Sequence, residues 1–257
     1  MNIIYCYSGS GNCLDIAKNI AHHLGDTKIV MMRSMPVLTD ATEAGRVGFI
    51  FPCYAGGLPG KVQEYIRQIK VSPDAYTFGI VSYAGYPGTG IADINSVIPL
   101  DYRAGISHHC SCIWLMPHDL MLPPLSVEKA QARSEKLAAE IAADILAGTK
   151  KTIPAANPLN QAEHKAWPLL QKKKSAKLQV SSDCVSCGQC VQLCPQQNIR
   201  IAKAIGKANI GPNCIGCLSC LQYCPTQAIS MGGLTVKRER YHNPNITAAE
   251  LSQDIIL

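Results

Sequence analysis

Several features are missing from this 257-residue chain, and each absence narrows its class. No apolar run approaches the ~18 residues that a membrane-crossing helix needs. Neither a basic region nor a small-residue cleavage site follows Met1-Asn2-Ile3-Ile4-Tyr5, so no secretory leader is expected and a cytoplasmic protein is. No block has the composition of a disordered, low-complexity segment. The Walker pattern G-x4-G-K-[ST] and the dinucleotide fingerprint G-x-G-x-x-G are both absent. Acid is scarce in one stretch: from Gly148 to Ser182 seven lysines face a single acid, Glu163, a surplus equal to the net charge of +6 carried by the whole chain. Base-stacking aromatics are missing there apart from Trp167, so no nucleic acid is expected as a partner. That leaves a solvated linker face or a docking patch that steers an acidic partner.

Cysteine, by contrast, is abundant: thirteen residues, an odd number in a long chain with no leader, which argues against a disulfide scaffold. Cys6, Cys13, Cys53, Cys110 and Cys112 are scattered among apolar segments and read as small buried hydrophobes. The other eight form a repeat. Cys184-Val-Ser-Cys-Gly-Gln-Cys-Val-Gln-Leu-Cys-Pro returns as Cys214-Ile-Gly-Cys-Leu-Ser-Cys-Leu-Gln-Tyr-Cys-Pro, and Gln197 with Gln227 and Ile199 with Ile229 extend the match. Two small units packed about a pseudo-twofold axis are expected.

Each run reads C-x2-C-x2-C-x3-C-P, the spacing of bacterial iron–sulfur carriers. Three thiolates two residues apart wrap one cubane, and the fourth, after a longer gap, points to the neighbouring one. The ligands are thus expected to cross over: Cys184, Cys187, Cys190 and Cys224 for one [4Fe-4S] cluster, Cys214, Cys217, Cys220 and Cys194 for the other. Pro195 and Pro225 lack an N–H, so bonds to sulfur must come from other residues. Paired C-x2-C knuckles holding tetrahedral zinc are the alternative. Two runs of four, with small Ser186, Gly188, Gly216 and Ser219 leaving room for sulfide, favour the clusters. Residues 181–232 resemble the bacterial two-cluster ferredoxins, which implies low-potential transfer of one electron per cluster.

Residues 1–147 alternate strand-like and helix-like segments. Strands are expected at Asn2–Tyr7, Thr27–Met32, Arg46–Phe51, Tyr76–Ser82 and Ile106–Leu115. Helical spacing covers Leu14 to Leu24, stopped by Gly25, then Lys61–Ile69, then Ser126–Ala147 with Ala130, Leu137, Ile141 and Ile145 inward. Strands apolar on both faces and separated by helices predict a doubly wound, five-stranded parallel α/β sheet, with its ligand beyond the C-terminal strand ends. Residues 148–179 read as a basic linker with one or two short helical pieces, 180–233 as a small α+β domain, and 234–257 as a tail with a capping box at Thr247–Glu250.

Three loops follow strands in the first domain. Ser8, Gly9, Ser10, Gly11, Asn12 and Cys13 lead into the first helix, where amides and hydroxyls make an anion site of neutral donors, or an ordinary turn. Pro52, Cys53, Tyr54, Ala55, Gly56, Gly57, Leu58 and Pro59 follow the third strand. Ser82, Tyr83, Ala84, Gly85, Tyr86, Pro87 and Gly88 follow the fourth. An aromatic among glycines suits a flat heteroaromatic ring, although each tyrosine is also at home on a surface loop.

The segment S-G-S-G-N-C resembles the flavodoxin phosphate loop [ST]-x-[ST]-G-x-[ST], and the later loops stand where flavodoxins grip the isoalloxazine. The whole chain resembles the flavodoxin–ferredoxin fusions of the EFR-type ferrodoxin family. The resemblance implies FMN, with its phosphate on residues 8–13 and its ring between residues 52–57 and 82–85. Cys13 departs from the usual Thr or Ser, and a thiol is a weak donor. The implied function is electron transfer between a two-electron flavin and two one-electron clusters, serving a redox partner protein that docks on the basic linker. Two alternatives stay open. One is a flavin-dependent reductase of a small molecule, with His118 in Met116–Leu120 as proton donor and His108 and His109 nearby. The other is a redox sensor or docking subunit whose flavin site is empty.

Overall fold

Ile3, Tyr5 and Tyr7 alternate with Ile4 and Cys6 along the first strand, and all five are buried, so this strand must be covered on both faces. The computed structural model of the chain, which describes residues 1–33, 36–109, 126–154, 157–202, 204–236 and 238–257, provides both covers. In chain order the first unit comprises β1 (Asn2–Cys6), α1 (Asn12–Leu24), β2 (Thr27–Met31), β3 (Asp40–Ala41), β4 (Arg46–Pro52), α2 (Gly60–Ile66), β5 (Lys70–Val71), β6 (Tyr76–Tyr83), α3 (Gly90–Asn95), β7 (Tyr102–Ser107) and α4 (Val127–Leu146). Strands β2, β1, β4, β6 and β7 lie side by side in that order, all parallel, while β3 and β5 form a separate short pair. This is the flavodoxin-like order, with the reversal between β1 and β4. Ile4, Cys6 and Ile50 pack under α1 and α4; Tyr5, Phe49 and Phe51 pack under α2 and α3.

The expected helix at residues 61–69 is α2, with Val62, Tyr65 and Ile66 buried. Helix α3 carries no strong apolar stripe and was not anticipated. The fifth strand starts at Tyr102, earlier than expected, because Tyr102-Arg-Ala-Gly is a poor apolar run. Its register is set by pairing with β6, and Tyr102 is held by its hydroxyl donating to Asp144 (2.8 Å). The remainder of the anticipated strand, with Cys110, Cys112, His118 and Met116–Leu120, lies outside the described residues.

The second half runs α5 (Pro158–Ser175), β8 (Leu178–Val180), α6 (Gln189–Leu193), β9 (Ile199–Ala202), β10 (Lys207–Ile210), α7 (Ser219–Gln222), β11 (Ile229–Met231), α8 (Gly233–Val236), α9 (Ala248–Leu251) and β12 (Ile255–Ile256). Strands β9 and β10 pair antiparallel, as do β8 and β11, around a small core of Ile199, Leu221 and Ile229. The linker contains one 18-residue helix rather than short pieces, with Pro168 inside it. The tail returns to the first sheet, where β12 adds a sixth, antiparallel strand beside β2. Among the described residues no helix is long and apolar enough to cross a membrane.

Candidate functional site

The two cysteine runs fold alike. Left-handed residues stand two and four positions after each first cysteine: Ser186 and Gly188, then Gly216 and Leu218. They recur at Gln197 and Gln227, whose N–H groups close onto the carbonyls of Cys194 and Cys224 (3.1 and 3.0 Å). The sequence repeat is therefore a repeat of backbone conformation. Sulfur is met by N–H groups other than those the prolines lack: Asn198 donates to Cys194 Sγ (3.3 Å), Ala208 to Cys184 Sγ (3.5 Å) and Gly216 to Cys214 Sγ (3.4 Å).

Two cavities lie inside this half. One, about 380 Å³ including space open to solvent, is lined by Cys184, Cys187, Cys190, Cys220 and Cys224 among apolar residues such as Ile201 and Ile229. The other, about 370 Å³, is lined by Cys194, Cys214, Cys217 and Cys220 with Ile199, Ile210 and Leu218. The first draws three cysteines from the first run and two, Cys220 and Cys224, from the second; the other draws three from the second run and Cys194 from the first, so Cys220 borders both. The thiols surround a volume; among the described residues no three such side chains converge as a single metal ion requires. Burial pushes Cys190 and Cys217 up to about 11, so these two thiols hold their protons at neutral pH until metal displaces them. Soft sulfur donors in an apolar, partly enclosed space suit an iron–sulfur cluster.

The three glycine loops share one edge of the sheet. In the first, Ser8 Oγ accepts the Gly11 N–H (3.1 Å), and Gly11 is left-handed with φ 96°. The N–H groups opening α1 have no partners within the helix and lie at the positive end of its dipole. Hydroxyls and amides without a cation fit a phosphate monoester. The outer side of the loop is closed by the second half of the chain. A Cβ on Gly9 would stand 2.5 Å from the Cys217 carbonyl, and one on Gly11 2.7 Å from Tyr223 Oη. Ser10 O accepts the Asn243 N–H (2.7 Å) and the Tyr223 hydroxyl (3.3 Å). Asn12 Oδ1 accepts from Tyr241 Oη (2.8 Å) and Asn243 Nδ2 (3.2 Å). The Cys13 thiol is turned into the core near Cys6, with the Ser82 hydroxyl beside it, so only its backbone is left to the loop.

In the second loop Tyr54 and Gly57 exchange both backbone hydrogen bonds (2.9 and 3.2 Å) around Ala55 and Gly56, a tight turn with positive φ at both centres. Cys53 N–H donates to Ser82 O (2.8 Å), which ties Pro52 and Cys53 to the third loop. There Ser82 is buried, Tyr83 half-buried, and Ala84, Gly85 and Tyr86 exposed. His108 lies at the end of β7, buried, and burial lowers it to about 4, so it is neutral at physiological pH. The His109 ring rests on Tyr241 at 4.5 Å.

Two parts of the site escaped the sequence reading. Helix α5 is a strap: Asn160 and His164 press on Gly56 and Gly57, Glu163 bonds the Tyr86 hydroxyl, and Gln171 Nε2 donates to Cys214 O (2.6 Å). It therefore runs from the second loop to Cys214. The second is a polar clasp in the tail. Asp15, buried at 4% exposure, accepts from Gln131 (2.8 Å) and Asn245 (3.2 Å), and burial holds its carboxyl above the usual range. One signal was available: Tyr223 stands where the first run has Leu193, and a tyrosine in an apolar slot needs a partner for its hydroxyl.

A flavodoxin-like α/β unit followed by a small ferredoxin-like 4Fe-4S domain is the class that this fold and these cysteines define. Residues 176–230 match the family described as the 4Fe-4S dicluster domain. No curated protein matches the chain. Among solved structures, a flavodoxin from the domain Archaea is 15% identical, with 57% of this chain and 99% of that one covered at a TM-score of 0.38. An FMN-dependent NADH-azoreductase from Bacillus anthracis, in complex with FMN, is 10% identical, with coverage of 56% and 97% and a TM-score of 0.36.

Proposed function

We propose that the chain is a cytoplasmic electron-transfer flavoprotein of the flavodoxin–ferredoxin fusion type. One [4Fe-4S] cluster is held by Cys184, Cys187, Cys190 and Cys224, and a second by Cys194, Cys214, Cys217 and Cys220. FMN binds with its phosphate on residues 8–13 and its ring between residues 52–57 and 82–85. The observation that carries this reading is the pair of cysteine-lined cavities, each lined by cysteines of both runs, with Cys217 pressed against the Gly9 loop. When bound, FMN supplies two-electron chemistry and each cubane one-electron chemistry. The chain's own residues seat these groups and set the distance between them. Apolar side chains keep water from the sulfurs, backbone N–H groups bond the thiolates, and α5 holds the second loop and Cys214 on one rigid element.

The outward face of α5 carries Lys165, Lys172 and Lys173 beside Leu169, which is 80% exposed. An acidic redox partner docks there, with an association rate that falls as salt rises. A relay of clusters without flavin is favoured by one observation, the closing of the first loop by Tyr223 and Asn243. Anaerobic purification with iron, sulfide and flavin assays separates the readings. Iron and sulfide for two cubanes with one FMN is the expected result. The same metal content without flavin leaves the relay, and zinc in place of iron ends both.

A further inference from the structure

Tyr7 has no part in the function proposed above, yet it sits where the two halves meet. It follows β1 and opens the glycine loop, its N–H donating to Ile50 O (2.9 Å) and its ring meeting Tyr54 edge-on at 6.2 Å. The side chain is 2% exposed, and its hydroxyl faces the Cys217 thiol, with no other hydrogen-bond partner among the described residues. A buried O–H left without a good acceptor is costly, so an acceptor is to be sought beside it. Cys217 packs on the same apolar core as Tyr7, its carbonyl lies against Gly9 two residues further on, and it lines the second cysteine cavity. A thiol is a poor acceptor, whereas a thiolate is a good one, with the added strength of its charge.

We propose that Tyr7 donates its hydroxyl hydrogen to the Cys217 thiolate when the cluster is in place, and so raises the reduction potential of that cluster above that of its twin. This rests on the two-cluster reading. Reduction adds negative charge that is shared by the sulfurs, and a donor stabilises the reduced form more than the oxidised one. The pseudo-symmetric counterpart of Cys217 is Cys187, which is exposed to solvent rather than covered by a tyrosine. The two clusters are therefore unequal despite matching ligand runs. The inner one, against the α/β unit, is the easier to reduce, and electrons arriving at the outer one run inward.

The test is a redox titration of the anaerobic full-length protein followed by electron paramagnetic resonance. Tyr7→Phe keeps the ring and removes only the hydroxyl. It should lower one midpoint by roughly tenfold in the reduction equilibrium, about 59 mV for one electron, and leave the other in place. Cys187→Ser, which disturbs the outer quartet, assigns the signals: the one that Tyr7→Phe moves must be the one that Cys187→Ser spares. Tyr5→Phe removes another buried hydroxyl on the same face of β1, one without a hydrogen-bond partner among the described residues and near Tyr65 and Asp40 rather than Cys217, and should move neither midpoint. Unmoved midpoints in Tyr7→Phe, equal shifts in both, or loss of one cluster would overturn the proposal. Wild-type protein lacking two clusters would instead sink the reading beneath it.

Discussion

At the scale of single residues, the loop after β1 shows how much one missing side chain decides. Gly11 is required twice over, by its left-handed backbone and by the Tyr223 hydroxyl that occupies the place of a Cβ. Gly11→Ala should destabilise the protein by about 2 kcal/mol, combining backbone strain with overpacking. It should also loosen the contact between the two halves more than the α/β unit itself. Urea unfolding followed by near-ultraviolet dichroism reads the first effect, and hydrogen exchange at residues 241–246 reads the second. Unchanged exchange there would show that the contact does not depend on this glycine. The presence of glycine was plain from the sequence. Its partner was not, because Tyr223 is distant along the chain and looked like one more apolar residue of a cysteine run.

Among elements, the short helix α9 shows a local signal with a tertiary consequence. The Thr247–Glu250 capping box forms as its spacing suggested, with the Thr247 hydroxyl accepting the Glu250 N–H and the Glu250 carboxylate accepting the Thr247 N–H (2.9 Å). The same carboxylate reaches Lys18 on α1 at 2.5 Å, which fastens the tail to the first unit. The Lys18 bond foremost, then the cap, lowers Glu250 from 4.5 to about 2. The folded value lies below the unfolded one, so this stabilisation is complete above pH 4.5 and is lost as pH falls toward 2. Carboxyl nuclear magnetic resonance of the intact protein should find Glu250 titrating near 2, and Lys18→Met should bring it back toward 4.5. Glu250→Gln, whose amide oxygen can still accept the Thr247 N–H, should cost about 0.5 kcal/mol at neutral pH, as the loss of a half-exposed ion pair does. A normal titration in the wild-type protein would show that the pair does not persist in solution. Helix α5 is the opposite case: its lysines announced a solvated linker, and its inward face of Asn160, His164, Trp167 and Gln171 became visible only once there was something for it to cover.

On the scale of the whole molecule, the two halves differ in what holds them. The α/β unit has two extensive cores, whereas the ferredoxin-like half has a small one, of the size that commonly needs a metal to be stable. Stripping iron anaerobically with a chelator should lower the melting temperature of the second half and separate it from that of the first, giving two calorimetric transitions where the loaded protein gives one. The parallel sheet should survive, as far-ultraviolet dichroism would record. One unchanged transition would show that the clusters do not support the fold. The sequence by itself determined the α/β alternation, the cysteine repeat and the position of the glycine loops, because these depend on periodicity and on spacing within a few residues. Only the tertiary structure decided that β12 joins the first sheet, that α5 straps the second loop to Cys214, and that Tyr7 lies against Cys217. Each of those contacts pairs residues far apart in the chain, and their closeness follows from how the two cores bury their surfaces rather than from any local pattern.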